Sequence, residues 1–316
     1  MDKINRYLNA SIRENTKKSY DAALAHYELQ WKGLLPATAE NIANYLSDYA
    51  EILSVNTLKQ RLAAISKWHV EQGFPDPTKA PIVKKVLRGI KIVHPRQEKQ
   101  AKPLHIDQLY QVVTLIDQQI EHAKNEENTK ELLKQTRNKA LLLLGFWRGF
   151  RGDELTRLQI ENIEYQENKG LICYLNRSKT DKMLKGQYFH VPKLEYLCPV
   201  QAYLDWLDVS QLYSGAVFRG INRWGQLSEN SLHIDSLIPL LRQILIEAQV
   251  EFSELYSAHS LRRGFANWAV ENGWDIKSIM EYVGWKNINS AIRYIDGHQR
   301  FNMIGNQQSI KKLNGT

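Results

Sequence analysis

The sequence predicts a mainly α-helical chain with one small antiparallel β-sheet, arranged as a helical domain followed by a mixed α/β domain. Three observations carry this. Apolar residues recur at three- and four-residue spacing through most of the chain. One segment, "GLICYLNRSKTDKMLKGQYFHVP" (170–192), instead sets two short aromatic and β-branched runs around a polar, lysine-rich turn, which reads as a hairpin with a long connection. Between the two parts, "HPRQEKQAKP" (94–103) is polar, basic and punctuated by prolines, as a linker is. The expected division is therefore a helical domain over 1–93, a linker over 94–103 and a second domain over 104–316. A chain of 316 residues is long enough for two cores.

The first domain reads helix by helix. "NTKKSYDAALAHYELQW" places Tyr20, Leu24, Tyr27 and Trp31 at helical spacing. After Pro36, Thr38 can cap a helix whose Ile42, Tyr45, Leu46 and Tyr49 face inward. "SVNTLKQRLAAISKWHVEQG" repeats the pattern through Val55, Leu58, Leu62 and Ile65 and stops at Gly73. On another face of that helix Lys59, Ala63 and Lys67 line up four apart. Pro81 suits a first helical position, and in the helix it opens, Lys84, Arg88 and Lys91 fall within about 60° of one another.

The second domain is predicted to hold helices over 106–125, 131–146, 200–207, 231–248 and 260–271. A further one begins near Asp275, carries Ile276, Ile279, Met280 and Val283, and ends at Gly284.

Composition narrows the function classes. A hydrophobic fraction of 43% and a charged fraction of 24% describe an ordinary globular protein. Cys173 and Cys198 offer neither a disulfide framework nor a metal cluster, which suits a reducing cytoplasm. "MDKINRYLNA" has no apolar signal core, and the longest apolar run, 140–147, is far too short to span a bilayer. A soluble cytoplasmic protein with no membrane partner is the expectation. The net charge of +8 is a weak sign of a polyanionic partner, but its distribution is stronger. Between Pro81 and His105, Lys84, Lys85, Arg88, Lys91, Arg96, Lys99 and Lys102 face only one acid, Glu98, as expected for phosphate-backbone contact or for a solvated helix and linker.

The chemistry-bearing residues lie in the second domain. In "SAHSLRRGFANW", His259 and Arg262 share a helix face, Arg263 turns away by about 100°, and Leu261, Phe265 and Trp268 make an apolar stripe. "GFWRGFRGDELTRLQIENI" sets Arg151 at a glycine-flanked bend with Glu154 three residues on. Lys179 lies in the hairpin turn, Trp285 follows Gly284, and Tyr294 comes nine residues later. Singly, each has a plain structural reading: an Arg151–Glu154 ion pair, a solvated Lys179, a hydrogen-bonded His259, aromatic Trp285 and Tyr294 in or beside the core.

In order, these residues resemble the tyrosine recombinase (phage integrase) family, and its Cre-like branch in particular. "GFRGDEL", "AHSLRRGFA" and "VGWKNINSAIRYI" carry the family's Arg, His-x-x-Arg, Trp and Tyr at its spacing, and "LSVNTLKQRLAAISKWHVEQGFPDPT" is similar to Cre-type amino-terminal domains. The resemblance covers nearly the whole chain. It implies a helical core-binding domain and a mixed α/β catalytic domain, together acting as a site-specific DNA recombinase that clamps duplex DNA between them.

The residue types suit that reaction. Arg151 and Arg262, planar and always charged, would neutralise the nonbridging oxygens of a scissile phosphate. Tyr294 would be the nucleophile, with His259 taking or relaying its proton. By resemblance Lys179 would protonate the departing 5′ oxygen, a place Lys182 or Lys185 could also fill. Trp285 offers an indole N–H to phosphate, and Glu154 would orient the cations. A 3′-phosphotyrosyl intermediate stores the ester, so no metal, ATP or other cofactor is implied. The expected DNA-binding residues are Lys59, Lys67, Lys84, Lys85, Arg88, Lys91 and Arg96. The family implies a homodimer on one double-stranded site and a homotetramer in the synapse, exchanging strands through a Holliday junction. The pattern of Phe301, Met303, Ile304 and Ile310 fits docking on a neighbouring protomer or on its own domain. Two alternatives stay open: a type IB topoisomerase-like relaxing enzyme, and a DNA-binding regulator that no longer cuts.

Overall fold

The computed structural model describes Tyr7 and residues 14–96, 100–176 and 186–292, the side chains of 289 and 290 excepted. The chain divides into two compact units, Met1–Lys99 and Gln100–Thr316.

The regular elements of the first unit are helices among the described residues. α1 (Glu14–Ala25) runs into a π-helical turn at His26–Gln30, and α2 (Ala39–Asp48), α3 (Val55–Glu71) and α4 (Pro81–Val93) follow. Local signals set these starts. The Asn41 N–H donates to Thr38 Oγ1 at 3.2 Å, the Thr57 N–H to Ser54 Oγ at 3.1 Å, and Pro81 stands in the first turn of α4. The apolar faces then close on a fully buried set including Tyr27, Ile42, Tyr45, Leu46, Leu58 and Ile65.

The second unit is built around α6 (Thr129–Arg148), whose stretch from Ala140 to Phe146 is sealed from solvent. Because all faces of that stretch are apolar, it must be covered all round. α5 (Ile106–Asn125), α8 (Pro199–Ser210), α10 (Ala258–Glu271) and one sheet cover it. The short α7 (Gly152–Thr156) follows α6, and α9 (Ile234–Glu247), α11 (Ile276–Val283) and α12 (Ile288–Ile292) complete the described helices. The sheet is an antiparallel meander of β1 (Ile163–Gln166), β2 (Gly170–Leu175) and β3 (Gln187–Pro192), with Cys173 facing Phe189 in register. No described helix is long and apolar enough to cross a membrane.

Two features depart from the sequence expectation. A second small sheet exists, a hairpin of β4 (Arg219–Ile221) and β5 (Leu227–Ser231). Its strands are short and mostly polar, so period-two alternation is absent. The turn is held by the Asn222 side chain, whose Oδ1 accepts from the N–H groups of Trp224 and Gln226. In consequence the helix expected over 231–248 starts only at Ile234, capped by His233.

Residues 100–104 pack on the second unit, where the Lys102 N–H donates to the Leu255 carbonyl at 3.0 Å and the Leu104 N–H to the Ser260 carbonyl at 3.1 Å. Leu104 crosses α10 at Gly264 so closely that a Cβ there would overlap the Leu104 carbonyl oxygen and come within 2.8 Å of Phe146 Cε2. Gly264→Ala is therefore expected to cost about 3 kcal/mol through backbone displacement, lowering the thermal midpoint by on the order of 10 °C in a calorimetric scan. An unchanged midpoint would show that the crossing has room to give.

Candidate active site

α6 ends at Gly149, whose φ of 61° is the left-handed conformation that glycine adopts without steric cost. The chain then extends through Phe150 and Arg151, and Arg151 becomes the cap of α7. This bend faces the first turn of α10: a Cβ on Gly152 would stand 2.9 Å from that of Ala258.

Glu154 organises the bend. Its Oε2 accepts the Arg151 N–H at 2.9 Å, its Oε1 accepts from Arg151 Nη1 at 2.6 Å, and Arg262 Nη1 lies 3.8 Å from Oε2. Only 1% of Glu154 is exposed. Burial by itself raises a carboxyl pKa, but the Arg151 charge, the Arg151 N–H and the Arg262 charge outweigh it and hold Glu154 below the ordinary range. One buried carboxylate thus serves two guanidiniums.

Arg262 is held from two further sides. Its Nη1 donates to the Gly149 carbonyl at 2.6 Å and its Nη2 to the Val283 carbonyl at 3.0 Å, so it ties the end of α6 to the end of α11. Trp285, two residues past α11, lies with its ring centroid 5.0 Å from the guanidinium carbon. Arg151, Glu154, Arg262 and Trp285, scattered across 135 positions of sequence, therefore form one contiguous cluster.

His259 and Arg262 stand one turn apart on α10, but their surroundings differ. His259 is exposed, whereas Arg262 is 1% exposed, enclosed by the backbone of α6 and α11 and by Trp285. The Arg151 side chain, at 15%, is the more open of the two guanidiniums. Arg263, which turns away from Arg262, is buried and donates to Gln100 Oε1 at 2.5 Å. Lys179, Lys182, Lys185, Tyr294 and the apolar pattern from Phe301 to Ile310 lie outside the described residues.

The basic positions of the first unit divide by environment. Lys59 on α3 and Lys84, Lys85, Arg88 and Lys91 on α4 are exposed. Lys67 is half-buried, paired with Glu71 at 3.3 Å and lying over the Tyr20 ring at 5.6 Å. Arg96 donates to the Glu51 and Ile52 carbonyls, closing the end of this unit onto the segment after α2.

One residue beside the cluster was missed from sequence. Arg148, the last residue of α6, is 4% exposed and lies between the rings of Phe189 and Tyr282. A cation ending the apolar run "ALLLLGFWR" is the signal that marks it.

The sequence profile of the phage integrase family matches residues 111–300. An integrase/recombinase homologue of the XerD type from Selenomonas ruminantium is 30% identical over 303 residues, covering 93% of this chain and 85% of its own. The Cre recombinase of Escherichia phage P1 is 24% identical over 320 residues, covering 90% of this chain and 88% of its own. Among solved structures, the XerH site-specific recombinase in a post-cleavage complex with palindromic difH substrate aligns with a TM-score of 0.60 at 16% identity, covering 94% of this chain and 80% of that one. At that identity the likeness bears on the fold.

Proposed function

Since this chain belongs to the phage integrase family and is a tyrosine recombinase, an enzyme that breaks and rejoins DNA at specific sites, we propose that it cuts through a 3′-phosphotyrosyl intermediate formed by Tyr294. The observation that carries this reading is the Arg151–Glu154–Arg262–Trp285 cluster: two guanidiniums share one carboxylate, which leaves net positive charge for a phosphate. In the first step the Tyr294 oxygen attacks the scissile phosphorus, the bond to the 5′ oxygen breaks, and a hairpin lysine, Lys179 foremost, gives that oxygen a proton. The phenolic proton passes to His259. Charge that builds on the nonbridging oxygens is met by Arg151 and Arg262 and by the Trp285 N–H. Arg151 is the more open guanidinium and meets the phosphate first.

Rejoining reverses these roles with a second 5′-hydroxyl. Two protomers on each site and four in the synapse supply the strands, through a Holliday junction. The exposed cations on α3 and α4, Lys59, Lys84, Lys85, Arg88 and Lys91, serve the phosphate backbone, while Lys67 and Arg96 contribute less because protein groups already hold them.

The test uses sheared, lightly nicked DNA from the organism that carries the gene. The full chain is incubated with it, denatured, and the retained DNA and phosphopeptide are identified. The expected result is one recurring DNA sequence joined to a peptide modified at residue 294. DNA binding with no adduct would favour the non-cutting regulator. Adducts without a recurring sequence, together with relaxation of supercoiled plasmid, would favour the topoisomerase-like enzyme.

A further inference from the structure

Buried arginines in this unit are nearly all bonded. Arg137 donates to Asn138 Oδ1 and the Arg219 carbonyl, Arg262 to two carbonyls, and Arg263 to Gln100. Arg148 differs: its Nε and Nη1 are buried and meet no acceptor among the described residues. What holds it is aromatic. The guanidinium carbon lies 4.6 Å from the Phe189 ring centroid on β3 and 4.4 Å from that of Tyr282 on α11. Tyr282 is itself fixed, donating its hydroxyl to the Trp147 carbonyl at 2.9 Å and stacking on Phe265.

The groups around Arg148 do not neutralise it. Burial pushes the Cys173 thiol up to about 12 and the Tyr282 hydroxyl likewise up to about 12, so both are neutral at neutral pH. Burial lowers Arg148 to about 10, which leaves it a cation there, and among the described residues the carboxylate that acts on it is Glu154. That carboxylate already serves Arg151 and Arg262. Three guanidiniums therefore draw on one anion, giving the cluster two net positive charges where the bonded trio alone has one. A phosphodiester carries one negative charge, and a five-coordinate transition state carries two. An uncompensated buried cation is costly to a fold, whereas a site that favours the transition state over the ground state gains from the second charge.

We propose that Arg148 is a positioning residue for DNA cleavage: next to Gly149 in the chain and packed over Tyr282, which precedes Val283, it braces the two carbonyls that hold Arg262, and its buried charge adds to those of Arg151 and Arg262 toward the scissile phosphate. This rests on the cleavage reading above for its role in catalysis, but its effect on anion binding does not depend on Tyr294. Substitution separates charge from shape. Arg148→Met fills the space between the two rings without a charge, and Arg148→Lys restores the charge.

Two measurements are made on the full chain: thermal stabilisation by inorganic phosphate, which needs no cutting, and single-turnover adduct formation on a nicked duplex carrying the recovered target sequence. Arg148→Met is expected to melt no lower than the wild type, to bind phosphate about tenfold more weakly, and to cut roughly tenfold to a hundredfold more slowly. Arg148→Lys is expected to regain most of both. Equal phosphate affinity in Met and wild type overturns the proposal, as does a Lys variant no better than Met. So does a Met variant that fails to fold, since the cation would then serve the fold alone. If the wild type forms no adduct while the phosphate pattern holds, the charge role stands and the Tyr294 reading falls.

Discussion

Tyr294→Phe is expected to bind the target duplex as tightly as the wild type and to leave no covalent adduct on a denaturing gel. The substitution removes one oxygen and no charge, so the electrostatic attraction for DNA is retained. In the proposed covalent step the phenol supplies the oxygen nucleophile. That oxygen ionises only near a pKa of about 10 in water, and a cationic site that favours the phenolate lowers the cost. Phenylalanine keeps the ring and has nothing to attack with. A residual adduct at more than trace level would assign the nucleophile to another side chain and end the reading of residue 294.

Arg262→Ala is expected to lose both rate and stability, because the side chain does two jobs. In its proposed role as a donor to the phosphate, its removal should slow cleavage by roughly 10²–10³, or about 3–4 kcal/mol. As a bond between elements, its loss leaves the Gly149 and Val283 carbonyls without their donor and takes one guanidinium away from Glu154. Buried acceptors left unsatisfied in this way cost about 1–3 kcal/mol each, so the thermal midpoint should fall as well. Measuring single-turnover cleavage well below the variant's midpoint separates the two losses. Arg262→Lys should recover little, because one ammonium cannot reach two carbonyls and a phosphate at once. Cleavage within tenfold of the wild type in a folded Arg262→Ala protein would remove this residue from the phosphate site.

Local order was well marked along the chain. The helix read over 106–125 is Ile106–Asn125 in the fold, Thr38 caps α2, and Pro81 opens α4, since each depends on hydrogen bonds and periodicity within a few residues. The β4–β5 hairpin escaped because strands of three and five mostly polar residues have no alternation to detect, and the Asn222 side chain rather than a two-residue glycine turn sets the bend. At the candidate site the sequence marked residue types and order, including the Arg151–Glu154 pair. The resemblance added Glu154 as the group that would orient the cations, but it did not place a third guanidinium, Arg148, beside them.

Helix periodicity, caps, the basic run around α4 and the ordered Arg, His-x-x-Arg, Trp and Tyr motif were determined by the amino-acid sequence alone, because each is written in residues close enough to interact along the backbone or in a motif read in order. Tertiary structure alone decided that Arg262 is enclosed while His259, one turn away, is open, and that Arg148 is clamped by rings 41 and 134 positions further along the chain. The physical reason is that helical spacing states which side chains share a face. Burial, and with it the strength of every charge at the site, depends on which distant element covers that face.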